Sequence, residues 1–244
     1  MDENLFTISQ TAKLLNVSID TLRRWESKGI LKSHRKPKGM RYYSENDIEE
    51  YLKSVDIFKF AFDWASKKDG TEPPKYFYCP NSSIFQARLT KLEFYLNNNK
   101  AKIVTAPFSL IVAITGEIGN NSFDHNLGNW IDISGIFFAF DLENRKIALA
   151  DRGRGILNTL KRVRPELKDD EQALKVAFTE VISGRAPESR GNGLKFVKRI
   201  VYGNDIKLQF QSGDAKLKIK KGDIELKIKR SDKRINGCIA LIEY

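Results

Sequence analysis

Lys146-Ile147-Ala148-Leu149-Ala150-Asp151-Arg152-Gly153-Arg154-Gly155-Ile156 decides the fold of the larger part of this chain. Residues 146–150 read as a strand, and the strand runs straight into Asp-x-Gly-x-Gly. Just upstream, Phe137-Phe138-Ala139-Phe140-Asp141-Leu142 reads as a second strand, with Glu143-Asn144-Arg145 as the hairpin turn between them. Asp151 stands at the end of the second strand. Gly153 and Gly155 let the backbone approach a ligand with no Cβ in the way. The bland alternative is a plain Gly-rich turn. The strand pair before it, and a helix that starts near Ile156, weigh against that alternative.

Two further segments belong with this turn. Pro107 to Phe123 is apolar and of helical length, yet it carries Glu117 and Asn121 four apart, so one helical face presents both, and His125 extends that face by a turn. An unpaired charge in an apolar helix is costly to bury, so Glu117 asks for a chemical reason; a polar helix end, with Asn121 and Asp124 capping turns, is the equal alternative. Gly116 and Gly119 weaken this helix by up to ~1 kcal/mol each against Ala. Downstream, Gly191-Asn192-Gly193-Leu194 opens a helix through Ile200-Val201, with Arg185, Arg190 and Lys195 beside it. A glycine pair at a helix N-terminus offers free N–H groups and a favourable dipole to phosphate.

In this order and spacing, Glu117 to His125, Asp151 to Gly155 and Arg190 to Leu194 resemble the Bergerat-fold ATPases of the GHKL superfamily (gyrase, Hsp90, histidine kinases and MutL). The resemblance implies ATP and Mg2+ as cofactors. It casts Glu117 as the general base for the attacking water and Asn121 as the amide ligand of Mg2+. Asp124, Asp151, Gly153, Gly155, Ile156, Arg190, Gly191, Gly193, Leu194 and Lys195 complete the nucleotide site. On the same resemblance, Asp151 would accept the exocyclic amine of adenine, and residues 184–193 would form a lid over the triphosphate. Ser122 stands where Ala is commoner, and Cys238 where many relatives have Thr near the adenine. No transducer segment with a catalytic lysine follows, so strand passage is not expected of this chain alone.

The N-terminal stretch has a different grammar. Ile8, Ala12, Leu14 and Leu15 suit a short amphipathic helix after Thr7, and Asn16-Val17-Ser18 breaks it. Ser18 caps a second helix through Trp25, with Leu22 and Trp25 on one side and Arg23 and Arg24 beside them. A basic loop from Ser33 to Tyr43 follows, and Ser44 with Asp47 reads as a capping box. Two short helices and a three-residue turn read as a helix-turn-helix. The Arg-Trp-Glu-x-x-Gly-Ile/Leu run, the basic wing and the Arg-Tyr-Tyr-Ser ending resemble the winged DNA-binding domain of the MerR and excisionase families. The resemblance places the second helix in the major groove of double-stranded DNA. Ser18, Thr21, Arg23 and Arg24 become candidates for base or phosphate contacts, and Arg35, Lys36, Lys38, Arg41 and Tyr42 for backbone contacts. Solvated charges on a domain that docks protein are the alternative.

The totals fit both parts. With 42 Lys and Arg against 31 Asp and Glu, the net charge of +11 attracts polyanions. No apolar run reaches the ~18 residues of a membrane span, and nothing at the N-terminus suggests export, so a cytoplasmic setting is expected. Cys79 and Cys238 read as small apolar residues rather than a disulfide. Lys216 to Lys220 and Ile224 to Lys229 alternate as a hairpin about Lys221-Gly222-Asp223, and Gly237 to Ile242 reads as a final strand. The lysines are most simply a solvent face, with a second DNA contact as the alternative.

The expected fold class is therefore α+β. A small winged helix-turn-helix domain covers 1–54 and a helical and loop linker covers 55–81. A Bergerat-type α/β sandwich covers 82–244, with a mixed, mainly antiparallel sheet and helices on one face. The expected function is an ATP-binding, DNA-binding transcription regulator switched by Mg-ATP binding and slow hydrolysis. The alternatives are a serine/threonine protein kinase of the anti-sigma type and a non-catalytic ATP sensor. A protein partner or a homodimer stays open.

Overall fold

Short polar residues begin most of the helices, and the apolar residues between them decide what each helix covers. The computed structural model describes residues 5–15, 17–35, 39–98, 106–181, 192–223 and 225–244, with backbone alone at 49 and 53. Contacts divide the chain into two units, Met1–Asp56 with Glu72–Tyr78, and Ile57–Thr71 with Cys79–Tyr244.

The first unit runs β1 (Leu5–Thr7), α1 (Ile8–Leu15), α2 (Ile19–Ser27), β2 (His34–Arg35), β3 (Arg41–Ser44) and α3 (Glu45–Ser54). Thr7 and Gln10 exchange hydrogen bonds across the first turn of α1. Ser18 accepts from Thr21 N to cap α2. Ser44 and Asp47 form the reciprocal capping box expected at α3. Burial pushes the Asp47 carboxyl up, yet the bonds from Ser44 and His34 outweigh it and hold it below the usual carboxylate range. The strands form an antiparallel sheet in the order β1-β3-β2. Leu15, Leu22, Leu31, Tyr43, Ile48 and Leu52 make the core under it. β1 was not legible in advance, because Leu5-Phe6-Thr7 is too short to show an alternation.

In the second unit, α4 (Ile57–Ser66) precedes β4 (Tyr78–Cys79), α5 (Ser82–Asn98), α6 (Phe108–Asn126), β5 (Ile136–Asp141) and β6 (Lys146–Asp151). Then come α7 (Gly155–Leu160), α8 (Asp170–Thr179), α9 (Gly193–Gly203), β7 (Lys207–Ser212), β8 (Ala215–Ile219), β9 (Lys227–Arg230) and β10 (Cys238–Glu243). The sheet order is β4-β5-β6-β10-β7-β8-β9, and the pairings from β5 to β9 are antiparallel. One face carries Ile136, Phe138, Leu149, Leu208, Leu217 and Ile242 into a core shared with α5, α6, α8 and α9.

The opposite face has a helix too, an addition to the expected layering. Phe137, fully buried, meets the rings of Phe60 and Trp64 on α4 at 6.0 and 6.3 Å, whereas Phe138 turns to Phe85 of α5 at 5.2 Å. Strand alternation sends neighbours to opposite faces. This explains why β5 and β6 read as apolar runs: they are covered on both sides. It also corrects the linker expected at 55–81, since α4 is part of the second unit's packing.

Two smaller corrections concern local geometry. Gly119 is a packing requirement rather than a weakness of α6, because a Cβ there would lie 2.1 Å from Cζ of the buried Phe85. The strand expected over 224–229 begins only at Lys227, with residue 224 outside the described residues. Gly222 N donates to Tyr202 O at the end of α9, which draws the connection away from a tight hairpin. Both cysteines are free thiols. Among the described residues, no helix is long and apolar enough to cross a membrane.

Candidate functional site

The C-terminal half of α6, the end of β6, the start of α7 and the start of α9 enclose a cavity of about 550 Å³ in the second unit. That volume lies within the ~300–1,000 Å³ of small-molecule sites. Its two ends are built from different chemistry.

At one end stands Asp151, 2 % exposed. Its carboxylate accepts from Ser122 Oγ at 2.8 Å, from Gly153 N at 2.8 Å and from Asn126 Nδ2 at 3.5 Å. Burial pushes its pKa up to about 6, because desolvation outweighs these donors and the Cys238 N–H. At neutral pH it is a charged acceptor on the cavity wall. Gly237, with φ +69°, lies so close that a Cβ would sit 2.3 Å from both Asp151 O and Oδ1. Asn126 ties the last turn of α6 to the loop: its Nδ2 donates to Ser122 O, and its Oδ1 accepts from Arg154 N. A Cβ on Gly153 would sit 2.1 Å from that amide. Gly155, φ +70°, opens α7, where Ile156 N donates to Ser212 Oγ at 2.8 Å. Burial and the neighbouring Asp151 push the Cys238 thiol well up, so it stays neutral beside the carboxylate.

At the other end, Glu117 and Asn121 share one face of α6 and both line the cavity. The first residue of α9 faces them. A Cβ on Gly193 would fall 1.9 Å from Glu117 Oε1 and 3.1 Å from Asn121 Nδ2. The start of α9 therefore comes up against a carboxylate and an amide. Asp124, exposed, stands on the wall further along, with Ile156 and Leu194 as apolar lining. Among the described residues, no three His, Cys, Asp or Glu side chains gather to hold a metal. Asn121 places a side-chain amide on the cavity wall, whose oxygen is of the hard type that a divalent cation accepts.

The structure thus brings Glu117, Asn121, Asp124, Asp151, Gly155, Ile156, Gly193 and Leu194 to one cavity, with Gly153 packed on Asn126 behind its wall. Lys195 departs from expectation. Its Nζ donates to Glu180 O at the end of α8, 2.5 Å away. The reason is helical phase: two residues beyond Gly193 is about 200° around the axis, nearly the opposite face. Arg190 and Gly191, with most of the expected lid, lie outside the described residues.

Reading the motif as Asp-x-Gly-x-Gly overlooked its second residue. Arg152 is fully buried. Its Nε and Nη2 donate to the Asp132 carboxylate, and its Nη1 donates to the carbonyls of Trp64 at 2.8 Å and Lys67 at 2.9 Å. Burial pushes the Asp132 carboxyl up, but the Arg152 bonds outweigh it and hold it below the usual range. Ser122, Asn126 and Gly237 were missed as site residues too. Ser122 and Asn126 were findable: they sit four apart, one position round from Glu117 and Asn121.

The first unit's candidate residues are held in several ways. Ser18 is spent on its cap and on Thr21 Oγ1. Arg23, exposed, pairs with Asp20 at 2.9 Å, and Arg24 donates to Thr21 Oγ1 at 3.2 Å. Arg41 departs from a free backbone contact: half-buried, it donates to Glu26 Oε2 at 2.6 Å, with Arg35 on Oε1 at 3.4 Å. Hydrogen bonds from Ser33 and Arg41 hold the Glu26 carboxyl below its usual range. Glu26 thereby fastens the wing strands to α2. Tyr42 lies mid-sheet between Thr7 and His34. Lys36 and Lys38 lie outside the described residues.

Residues 6–53 match the family model for MerR HTH family regulatory proteins. No curated protein matches the chain. Among solved structures, the chain is similar to the 43K ATPase domain of Thermus thermophilus gyrase B in complex with an aminocoumarin. The identity is 18 %, over 53 % of this chain and 32 % of that chain, with a TM-score of 0.33. The match spans about a third of that chain's length. At that score the likeness is distant, and what the cavity can do is read from its own side chains.

Proposed function

We propose that this protein is a DNA-binding regulator in which the second unit binds ATP with Mg2+ and hydrolyses it slowly, ATP occupancy biasing the grip of the helix-turn-helix on double-stranded DNA. The observation that carries the ATP reading is the cavity's polarity. A buried carboxylate acceptor stands at one end, and a carboxylate and amide facing a helix N-terminus stand at the other. Asp151 accepts the exocyclic amine of adenine. The start of α9 offers N–H groups to phosphate oxygens. Glu117 orients and deprotonates a water, and Asn121 holds the cation. Bound Mg2+ supplies charge neutralisation on the phosphate oxygens.

Arg152 gives the coupling a physical route. It joins the loop beside the pocket to the carbonyls that end α4, and only Val55 and Asp56 separate α4 from α3. A ligand that shifts this loop has a covalent and hydrogen-bonded path toward the helix-turn-helix segment. Differential affinity for two loop positions is all that a switch requires.

Titration calorimetry with Mg-ATP tests the reading. Saturable binding is expected for the native protein, weakened about tenfold or more by Asp151→Asn. Glu117→Ala should bind ATP and fail to turn it over. Absence of binding heat, with duplex binding identical with and without ATP, overturns the proposal.

A further inference from the structure

The outer face of the second unit's sheet, the one α4 covers in part, can be read row by row across the strands. One row runs Phe137, Ala150, Ile239, Gln211, Lys216, Lys229 from β5 to β9. The next runs Ala139, Ala148, Leu241, Gln209, Lys218, Lys227. Each passes from apolar positions through an amide to two directly opposed lysines. The apolar end of the first row lies under Phe60 and Trp64 of α4. The lysine ends, on β8 and β9, are exposed apart from the half-buried Lys216.

Like charges directly opposite one another destabilise a sheet. Here two such pairs sit side by side, on strands about 4.8 Å apart and at positions about 6.7 Å apart along each strand. Among the described residues, none of the four lysines takes part in an ion pair. The same face shows what a merely solvated arrangement looks like. A third row reads Asp141, Lys146, Glu243, Lys207, alternating in sign at every step. Charge balance is thus available on this face and absent on β8 and β9.

We propose that Lys216, Lys218, Lys227 and Lys229 form a second, sequence-independent contact for the phosphate backbone of double-stranded DNA. A duplex carries one charge per about 1.7 Å of axis, so a flat square of cations meets several phosphates whatever the sequence. The choice of DNA among polyanions rests on the regulator reading. A chain already held by its helix-turn-helix would offer the lysines their duplex at high effective concentration. The contact would then add affinity and residence time without reading bases.

The test is fluorescence anisotropy of the full-length protein with a labelled duplex of arbitrary sequence, across a salt series. Four backgrounds are compared: native, Lys216→Gln/Lys218→Gln/Lys227→Gln/Lys229→Gln, the corresponding four Lys→Arg changes, and Arg23→Ala/Arg24→Ala. The glutamine variant is expected to bind about tenfold or more weakly at low salt, with a slope of log affinity on log salt shallower by about 0.9 per lost phosphate contact. The arginine variant should keep native affinity and slope, which separates charge from folding. If the Arg23/Arg24 variant binds like the native protein while the glutamine variant does not, the lysine surface stands and the helix-turn-helix reading fails. Unchanged affinity and slope in the glutamine variant would overturn the proposal. So would loss of binding to anionic phosphatidylserine vesicles with duplex binding intact.

Discussion

Two stripes of one helix, a single residue apart in phase, have opposite characters. On α6, Ser122 and Asn126 sit in a closed hydrogen-bond network with Asp151, Gly153 and Arg154. Glu117 and Asn121 face the start of α9 across the cavity. The first stripe is polar for structural reasons: each buried group has its partner, so this end is held in place by its own hydrogen bonds. The second stripe lines the cavity, and on the proposed reading it is polar for chemical reasons. If this division is right, changes at the closed end should damage folding, and changes at the open end should damage turnover alone.

The largest effect is expected from Arg152→Met, which keeps bulk and removes the cation. Asp132 and the carbonyls of Trp64 and Lys67 lose their donor together. Removing one partner of a buried pair costs about 3–5 kcal/mol, tempered here because Asp132 is partly exposed. Thermal unfolding should show a large fall in Tm, and ATP affinity should fall with it. A variant as stable as the native protein would show that the loop beside the pocket does not depend on α4.

A pH titration probes the same end without mutation. The folded pKa of Asp151, about 6, lies above its ordinary 3.8. Between those values the folded state binds more protons than the unfolded state, so stability contributed by this group is present below about 4 and is lost as pH rises to about 6. The loss amounts to about 3 kcal/mol. Urea unfolding between those pH values should show this downward component in the native protein and lack it in Asp151→Asn. Identical profiles would mean that Asp151 is not held as described.

Much of this was legible in the sequence, for a physical reason. Residues such as Asp151, Glu117 and Asn121 announce themselves because a charge or amide in an apolar run demands explanation. The Ser44 and Asp47 cap is local, so spacing alone reveals it. Arg152 was not legible, because its partners lie in residues 64–67 and at Asp132, far away in sequence. α4 was expected only as part of a helical and loop linker for the same reason: the ring it packs on, Phe137 of β5, lies far away in sequence. Lys195 failed through phase, since the motif gives adjacency and the helix gives direction.

Gly119→Ala tests the face of α6 that packs on α5, opposite Glu117 and Asn121. The added methyl meets Phe85, itself fully buried, so overpacking should cost about 1–3 kcal/mol, against a helix-propensity gain of up to ~1 kcal/mol. ATP affinity should change less than Tm. An increase in Tm would show that α5 yields to the methyl.

The smallest effect on folding, and the sharpest separation of the two ends, is expected from Gly193→Ala. The new Cβ would fall on Glu117 Oε1, the far end of a half-exposed side chain that can rotate aside. Ala also favours the helix over Gly by up to ~1 kcal/mol, so the net change in stability should stay within about that amount. The methyl nevertheless occupies the gap beside Glu117 where, on the proposed reading, the attacking water is oriented. Misplacement of a reacting group by about 1 Å is worth up to ~100-fold in rate. Steady-state ATPase assays should therefore show kcat reduced at least about tenfold, with ATP affinity and Tm close to native. A parallel fall in all three would mean that α9 and the Asp151 network move as one body, and that the two stripes of α6 cannot be separated.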